Sequence, residues 1–336
     1  MVRLKDIAER AGVSVMTVSK VLRDAPDISA GTKVRIRQMA SDMGYVPDSL
    51  ARSLRSRESK LLGLIIAATV NPVFARMVMA IEEQAHELGF EVVLAHSLNQ
   101  VEREETVIRR MLSRRVDGLF LSPVYRLDPT SAIYQELSAK RIPTVLLNHG
   151  APFCEDIPSV ATDDFSASQS ATRHLLELGH RRVAFFTGVH HAPGSKERLQ
   201  GYQRALQDAG MELDDRLIFT AGTTVEEGEK AALQMMQEKT GATAVQAYND
   251  LVAVGASNIF LNQGLRIPQD LSVVGFGNIL VSEHSRVPLT TLRQPKFRLG
   301  IVAMELMTAL LRHQPVVSKR LPAELVIRQS SGPCPT

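Results

Sequence analysis

From Leu61 onward, short apolar runs alternate with longer amphipathic stretches. The runs are LLGLIIAAT, FEVVLAHS, DGLFLSPV, IPTVLLN, SVATD, RVAFFTGV, LIFTAG, TAVQAYN and SVVGFG. Apolar runs of this length are strands covered on both faces, and parallel neighbours of that kind are joined by helical crossovers. The pattern therefore predicts an α/β body of β-α units. So many strands suit two parallel sheets better than one, and the two halves share the rhythm without a literal repeat.

The first sixty residues have a different texture. Leu4, Ile7, Ala8 and Ala11 recur at helical spacing, Ser14 is placed to cap a helix from Val15 to about Leu22, and Ser29 to cap a third from Ala30 to about Met43. On a helical wheel Val18, Val21 and Leu22 share one arc, while Val15, Met16, Ser19, Lys20 and Arg23 occupy the other. The inner arc can pack on the first and third helices, which leaves the outer arc bare. Charge is uneven in the same sense: residues 1 to 60 hold 12 Lys/Arg against 7 Asp/Glu, or +5, and the remainder 27 against 29, or −2. A polyanion is expected to dock on the N-terminal segment.

Two short helices joined at Gly12 have the geometry of a helix-turn-helix, whose second helix enters the major groove of DNA. An ordinary amphipathic hairpin is the competing reading. In the DNA reading Val15 and Met16 meet thymine methyls, Lys20 donates to guanine, and Ser14, Thr17 and Ser19 suit phosphates or base edges. The following stretch PDSLARSLRSRESK is polar and basic, with Leu50 and Leu54 one helical turn apart. A helix there, from Asp48 to about Arg55, is too short to persist in water without a partner.

The string LKDIAERAGVSVMTVSKVL, followed by YVPDSLARSLRS, closely resembles the lactose/purine repressor family of bacterial transcription regulators. The resemblance continues through RRVDGLFLSPV, LLELGHRRVAFFTG, SKERLQGYQRAL, AYNDLVAVGA, SVVGFGN and PLTTLRQP. It implies a homodimeric repressor that reads a pseudo-palindromic double-stranded operator. It also implies a body like a two-lobed periplasmic sugar-binding protein, which takes a small effector. Four segments are then expected: a helix-turn-helix headpiece (1–46), a hinge helix and linker (47–60), an N-terminal lobe (61–161 and 293–321) and a C-terminal lobe (162–292 and 322–336). By resemblance Leu54 wedges into the minor groove, and Arg52 and Arg55 then lie near phosphates. Val15, Met16 and Lys20 should set the operator sequence. Lys20 stands where arginine is commoner, and an ammonium is a point donor where a guanidinium is a fork.

Facing parallel sheets bind ligands in the crevice at the carboxyl ends of their strands. That places Asn71, Phe74, Ser122, Asp164, Arg198, Asn249 and Asn278 as effector contacts, a set suited to a sugar or similar polyhydroxylated metabolite. Asp164 could instead cap the helix beginning near Phe165, Asn249 and Asp250 the next helix, and Phe74 could be core. Arg198 matches the family's effector arginine. Gly277 stands where relatives carry an aspartate that bonds the effector, which leaves open a ligand that is smaller, differently oriented or negatively charged.

Other functions find little support. Phosphate-loop, nucleophile-elbow and His-Glu-x-x-His motifs are missing, so an enzyme is not expected. Gly-Phe-Gly at 275–277 lacks the third glycine of a dinucleotide fingerprint, and the adjacent His190 and His191 read as loop histidines, so neither cofactor nor metal is expected. Two cysteines and a polar start predict a cytoplasmic protein without a disulfide framework. LLGLIIAATV is far short of the roughly 20 residues of a membrane span. With no leucine-rich tail after RQSSGPCPT, a dimer is expected.

Overall fold

The computed structural model describes residues 2–45, 59–69 and 71–335, so Arg52, Leu54 and Arg55 lie outside the described residues. The chain divides into two compact units, Met1–Ser59 and Lys60–Thr336.

The first unit holds α1 (Leu4–Ala11), α2 (Val15–Leu22) and α3 (Ala30–Asp42). Gly12 has φ +67°, and this left-handed turn lets its N–H close α1 on the carbonyls of Ala8 and Glu9. Ser14 Oγ accepts from the Thr17 N–H at 3.1 Å, and Ser29 Oγ from the Thr32 N–H at 3.4 Å, which starts α2 and α3. Ile7, Ala8 and Ala11 of α1 pack on Val18 and Val21 of α2 and on Ile36 and Ala40 of α3. Burying each larger aliphatic contributes about 1.5–3 kcal/mol, so this handful of side chains holds the unit together.

The second unit is built on two six-stranded sheets. The first runs β11-β5-β4-β3-β1-β2, with β1 (Leu61–Ile66), β2 (Glu91–His96), β3 (Gly118–Leu121), β4 (Thr144–Leu147), β5 (Ser159–Thr162) and β11 (Lys319–Leu321). The second runs β12-β10-β9-β8-β6-β7, with β6 (Val183–Thr187), β7 (Ile218–Thr220), β8 (Ala244–Ala247), β9 (Ser272–Gly277), β10 (Thr290–Arg293) and β12 (Glu324–Val326). Every pairing is parallel except that of β12 with β10.

Helices cover both faces of each sheet, which is why the central strands are mostly apolar, with Gln246 of β8 a buried exception that is hydrogen-bonded to Ser168 and Thr172. On the first sheet, α4 (Pro72–Glu87) and α12 (Lys296–Leu311) bury Leu62, Leu64, Phe120 and Val145, while α5 (Val101–Ser113) and α6 (Ala132–Ala139) bury Ile65, Leu119 and Leu121. On the second, α9 (Val225–Glu238) and α10 (Asp250–Asn262) cover Phe186 and Val245, while α7 (Asp164–Glu177) and α8 (Pro193–Asp208) cover Phe185 and Val274. The short α11 (Leu280–His284) follows β9.

The chain changes lobe at 162–164, 293–296 and 321–324, leaving at the carboxyl ends of β5, β10 and β11. β1 stops at Ile66 and β8 at Ala247, short of the apolar runs that signal them. The leftover residues become the loops that line the crevice. Among the described residues no helix is long and apolar enough to cross a membrane.

Candidate functional site

Two places in the molecule present chemistry to a partner. The first is the outer face of α2. Val18 and Val21 are fully buried, whereas Val15 is 44% and Met16 62% exposed. Val15 and Met16 stand on the side of α2 that faces away from α1 and α3, so they are available to a partner. Ser14 and Thr17 lie at the start of the same helix with their hydroxyls 2.9 Å apart. Ser19 is half-buried, its carbonyl accepting from Arg23 Nε at 3.1 Å. Lys20 Nζ donates to Asp27 Oδ2 at 2.5 Å, and that hydrogen bond holds the Asp27 carboxyl below its ordinary range. Arg37 and Lys33 of α3 are both paired with Asp24.

The second is a cavity of about 420 Å³ between the lobes. Asn71, Phe74, Ser122, Arg198 and Asn249 all line it. Asn71 also caps α4, its Oδ1 accepting from the Val73 N–H at 3.0 Å, and Asn249 caps α10, its Oδ1 accepting from the Val252 N–H at 2.8 Å. Phe74 is at once wall and core. Asn249 Nδ2 also donates to the Thr223 carbonyl at 2.9 Å, so both polar atoms of this side chain have partners within the protein while it lines the cavity.

Arg198 anchors the cleft. It is 8% exposed, with its guanidinium carbon 3.6 Å from the Phe276 ring centroid and 4.4 Å from that of Tyr248. Its Nη1 donates to the Tyr248 carbonyl at 2.6 Å and its Nη2 to Asp164 Oδ2 at 3.1 Å. The two rings replace lost hydration and aim the cation. Asp164 lies behind it and does not line the cavity. Nor does it cap α7: Asp163 does, accepting from the Ser166 N–H, and the helix starts one residue earlier than its pattern suggests. Burial alone would raise the Asp164 carboxyl, but the Arg198 guanidinium and the hydrogen bond to His149 outweigh it and hold it low.

Asn278 is turned away. It sits at φ +49°, its Oδ1 accepts from Arg328 Nη2 at 2.8 Å, and it is not part of the lining. Beside it, Gly277 has φ +135°, and a Cβ there would stand 3.2 Å from Asp250 Oδ2. The Asp250 carboxylate is occupied in turn, by the Thr291 and Ser282 hydroxyls and the Ile279 N–H. Burial pushes its pKa up against these three donors.

Several lining residues escaped the reading of the sequence. Tyr125, His191, Tyr248 and Gln294 face the same cavity. His191 Nε2 lies 3.1 Å from the Tyr125 carbonyl, which joins loops of the two lobes across the mouth. Deeper in, His149 of the first lobe meets Asp164 of the second at 3.0 Å, and Arg320 of β11 donates to Glu197 of α8 at 2.5 Å. These contacts join the two lobes around the cavity. The arrangement can hold a small polar molecule between aromatic and amide walls.

Comparison with known proteins agrees with both halves. Residues 3–48 match the family described as bacterial regulatory proteins, lacI family, and residues 59–326 match periplasmic binding proteins and sugar binding domain of LacI family. The HTH-type transcriptional repressor CytR of Escherichia coli strain K12 is 33% identical over 334 residues, covering 99% of this chain and 97% of its own. The lac repressor dimer bound to operator and the anti-inducer ONPF superposes with a TM-score of 0.88 at 28% identity, over 98% of this chain and 99% of that one. A transcriptional regulator CelR–cellobiose complex superposes at 0.75, also with 28% identity, over 98% and 100%.

Proposed function

The chain belongs to the LacI family of bacterial transcriptional regulators, and from that premise we propose how its own residues read DNA and sense an effector. It is a sequence-specific DNA-binding repressor whose operator affinity is set by a small molecule. Two copies pair, and each places α2 in the major groove of one half of a pseudo-palindromic operator. Val15 and Met16 contact thymine methyls, Lys20 a guanine acceptor, and Ser14, Thr17 and Ser19 the flanking phosphates. Arg52 and Arg55 add salt-sensitive phosphate contacts, and Leu54 is the minor-groove wedge. The working division of the chain is a headpiece (1–46), a linker (47–60) and two lobes (61–161 with 293–321, and 162–292 with 322–336).

The effector is a sugar or related polyhydroxylated metabolite, held by Asn71, Ser122, Arg198 and Asn249 against Phe74. It acts by its different affinity for the two lobe arrangements, which is coupled to DNA affinity by the same factor in both directions. Such a protein works in the cytoplasm, where its operator is. The exposed Val15 and Met16 beside the fully buried Val18 and Val21 carry this reading.

The test is fluorescence anisotropy of operator duplexes with the full chain and with a chain lacking residues 1–60, each with and without a panel of sugars. Only the full chain is expected to bind, and one sugar class to change its affinity. Equal binding by the shortened chain overturns the proposal.

A further inference from the structure

The reading face of α2 carries its own anion. Lys20 lies one helical turn beyond Met16 and shares its face. Asp27, in the loop that follows α2, reaches back over seven residues to place Oδ2 2.5 Å from Lys20 Nζ. Both side chains stay in contact with water, at 40% and 52% exposure. The carboxylate therefore lies at the rim of the surface that meets DNA and is not part of the headpiece core. The neighbouring Asp24 differs, because its carboxylate binds Lys33 and Arg37 of α3 and so ties the loop to that helix. The other cation of this stretch, Arg23, is folded back on the Ser19 carbonyl.

We propose that Asp27 is a specificity-determining residue: it clamps Lys20 so that the ammonium is released only to a base acceptor that replaces the carboxylate, and not to an arbitrary phosphate. On unrelated DNA Lys20 stays neutralised by Asp27, and the pair adds nothing to the counterion release that drives non-specific binding. On the operator, a guanine acceptor pair in the groove supplies equivalent hydrogen bonds at a fixed place, and the carboxylate turns back to water. A mobile lysine loses selectivity because its stem lets it reach many oxygens, and tethering it removes that freedom. The inference rests on α2 being the DNA-reading helix.

The test uses full-length protein, an operator selected by it from a random duplex pool, and an unrelated duplex of equal length. An exposed ion pair is worth little, so Asp27→Asn is expected to tighten binding to the unrelated duplex by about two- to fivefold. It should leave operator affinity within about twofold and steepen the salt dependence on unrelated DNA by roughly one charge per headpiece. Asp27→Ser serves as the second variant, and far-UV circular dichroism with thermal melting checks that both headpieces fold. In a Lys20→Ala background the Asp27 substitutions should change nothing. A gain of the same size without Lys20 overturns the clamp, because Asp27 then acts only by repelling phosphate. Equal gains on operator and unrelated DNA overturn it too. If Lys20→Ala and Met16→Ala leave operator binding intact, the assignment of α2 itself has failed. If they weaken it and Asp27→Asn does not behave as stated, only the clamp has failed.

Discussion

Replacing Arg198 by methionine keeps a long unbranched side chain between Phe276 and Tyr248 and removes the charge, so packing is nearly conserved while electrostatics is not. Two charge-assisted hydrogen bonds are lost, at 2.6 Å to the Tyr248 carbonyl and 3.1 Å to Asp164, each worth about 1.5–3 kcal/mol. The two ring contacts contribute about 0.5–2 kcal/mol more. These quantities overlap, and breaking a buried ion pair by removing one partner costs about 3–5 kcal/mol in all, chiefly because the other charge is left behind. His149 still donates to Asp164 at 3.0 Å, which places the expected loss near the lower end, about 3 kcal/mol. Urea unfolding of the full chain measures it, followed by circular dichroism and compared at unchanged m-value. The double variant with Asp164→Asn discriminates the cause: it should be more stable than Arg198→Met alone, because it removes the stranded charge. A cost below about 1 kcal/mol, the size of an ordinary exposed pair, would refute this account of Arg198. So would a double variant less stable than the single one.

Three further outcomes follow from the same geometry. Ser14→Ala removes the cap on α2 and should cost the headpiece about 1 kcal/mol, read as a lower melting temperature. Gly277→Ala forces a side chain into φ +135° beside Asp250 and should destabilise the body by about 1–3 kcal/mol in the same urea assay. The Asp164 carboxyl is held below its ordinary 3.8 in the folded chain, so its contribution is complete above that value and disappears only as pH falls through the depressed pKa. The stability gap between wild type and Asp164→Asn should therefore be no smaller at about pH 5 than at about pH 8 and should close in more acid solution; a gap already lost at about pH 5 would contradict the assignment.

What could be read from the sequence depended on how local the governing interaction was. The headpiece was legible because its signals lie within a few residues: the Ile7, Ala8 and Ala11 spacing, the Val18 and Val21 stripe, and Ser14 and Ser29 three residues before the N–H groups they accept from. The β-α rhythm was legible for the same reason. Strand ends were less so, because an apolar run does not mark where pairing stops, as at Ile66. In the cleft, Asn71, Ser122 and Asn249 follow from topology alone, since any residue just past a parallel strand faces the crevice. Asn278 meets the same rule but is drawn aside by Arg328, fifty residues on. Tyr125 and His191 enter through a contact between lobes, and the pairing of Lys20 with Asp27 depends on a loop path. No periodicity encodes either.

The central claim is that the outer face of α2 selects the DNA sequence. Duplex selection from a random pool, performed with the wild-type chain and with a variant changed together at Val15, Met16 and Lys20, tests it most directly. The two proteins should recover different half-sites with the same spacing and symmetry, because the residues proposed to touch bases have changed while the proposed pairing of subunits has not. Recovery of one and the same half-site by both would show that the sequence is read elsewhere.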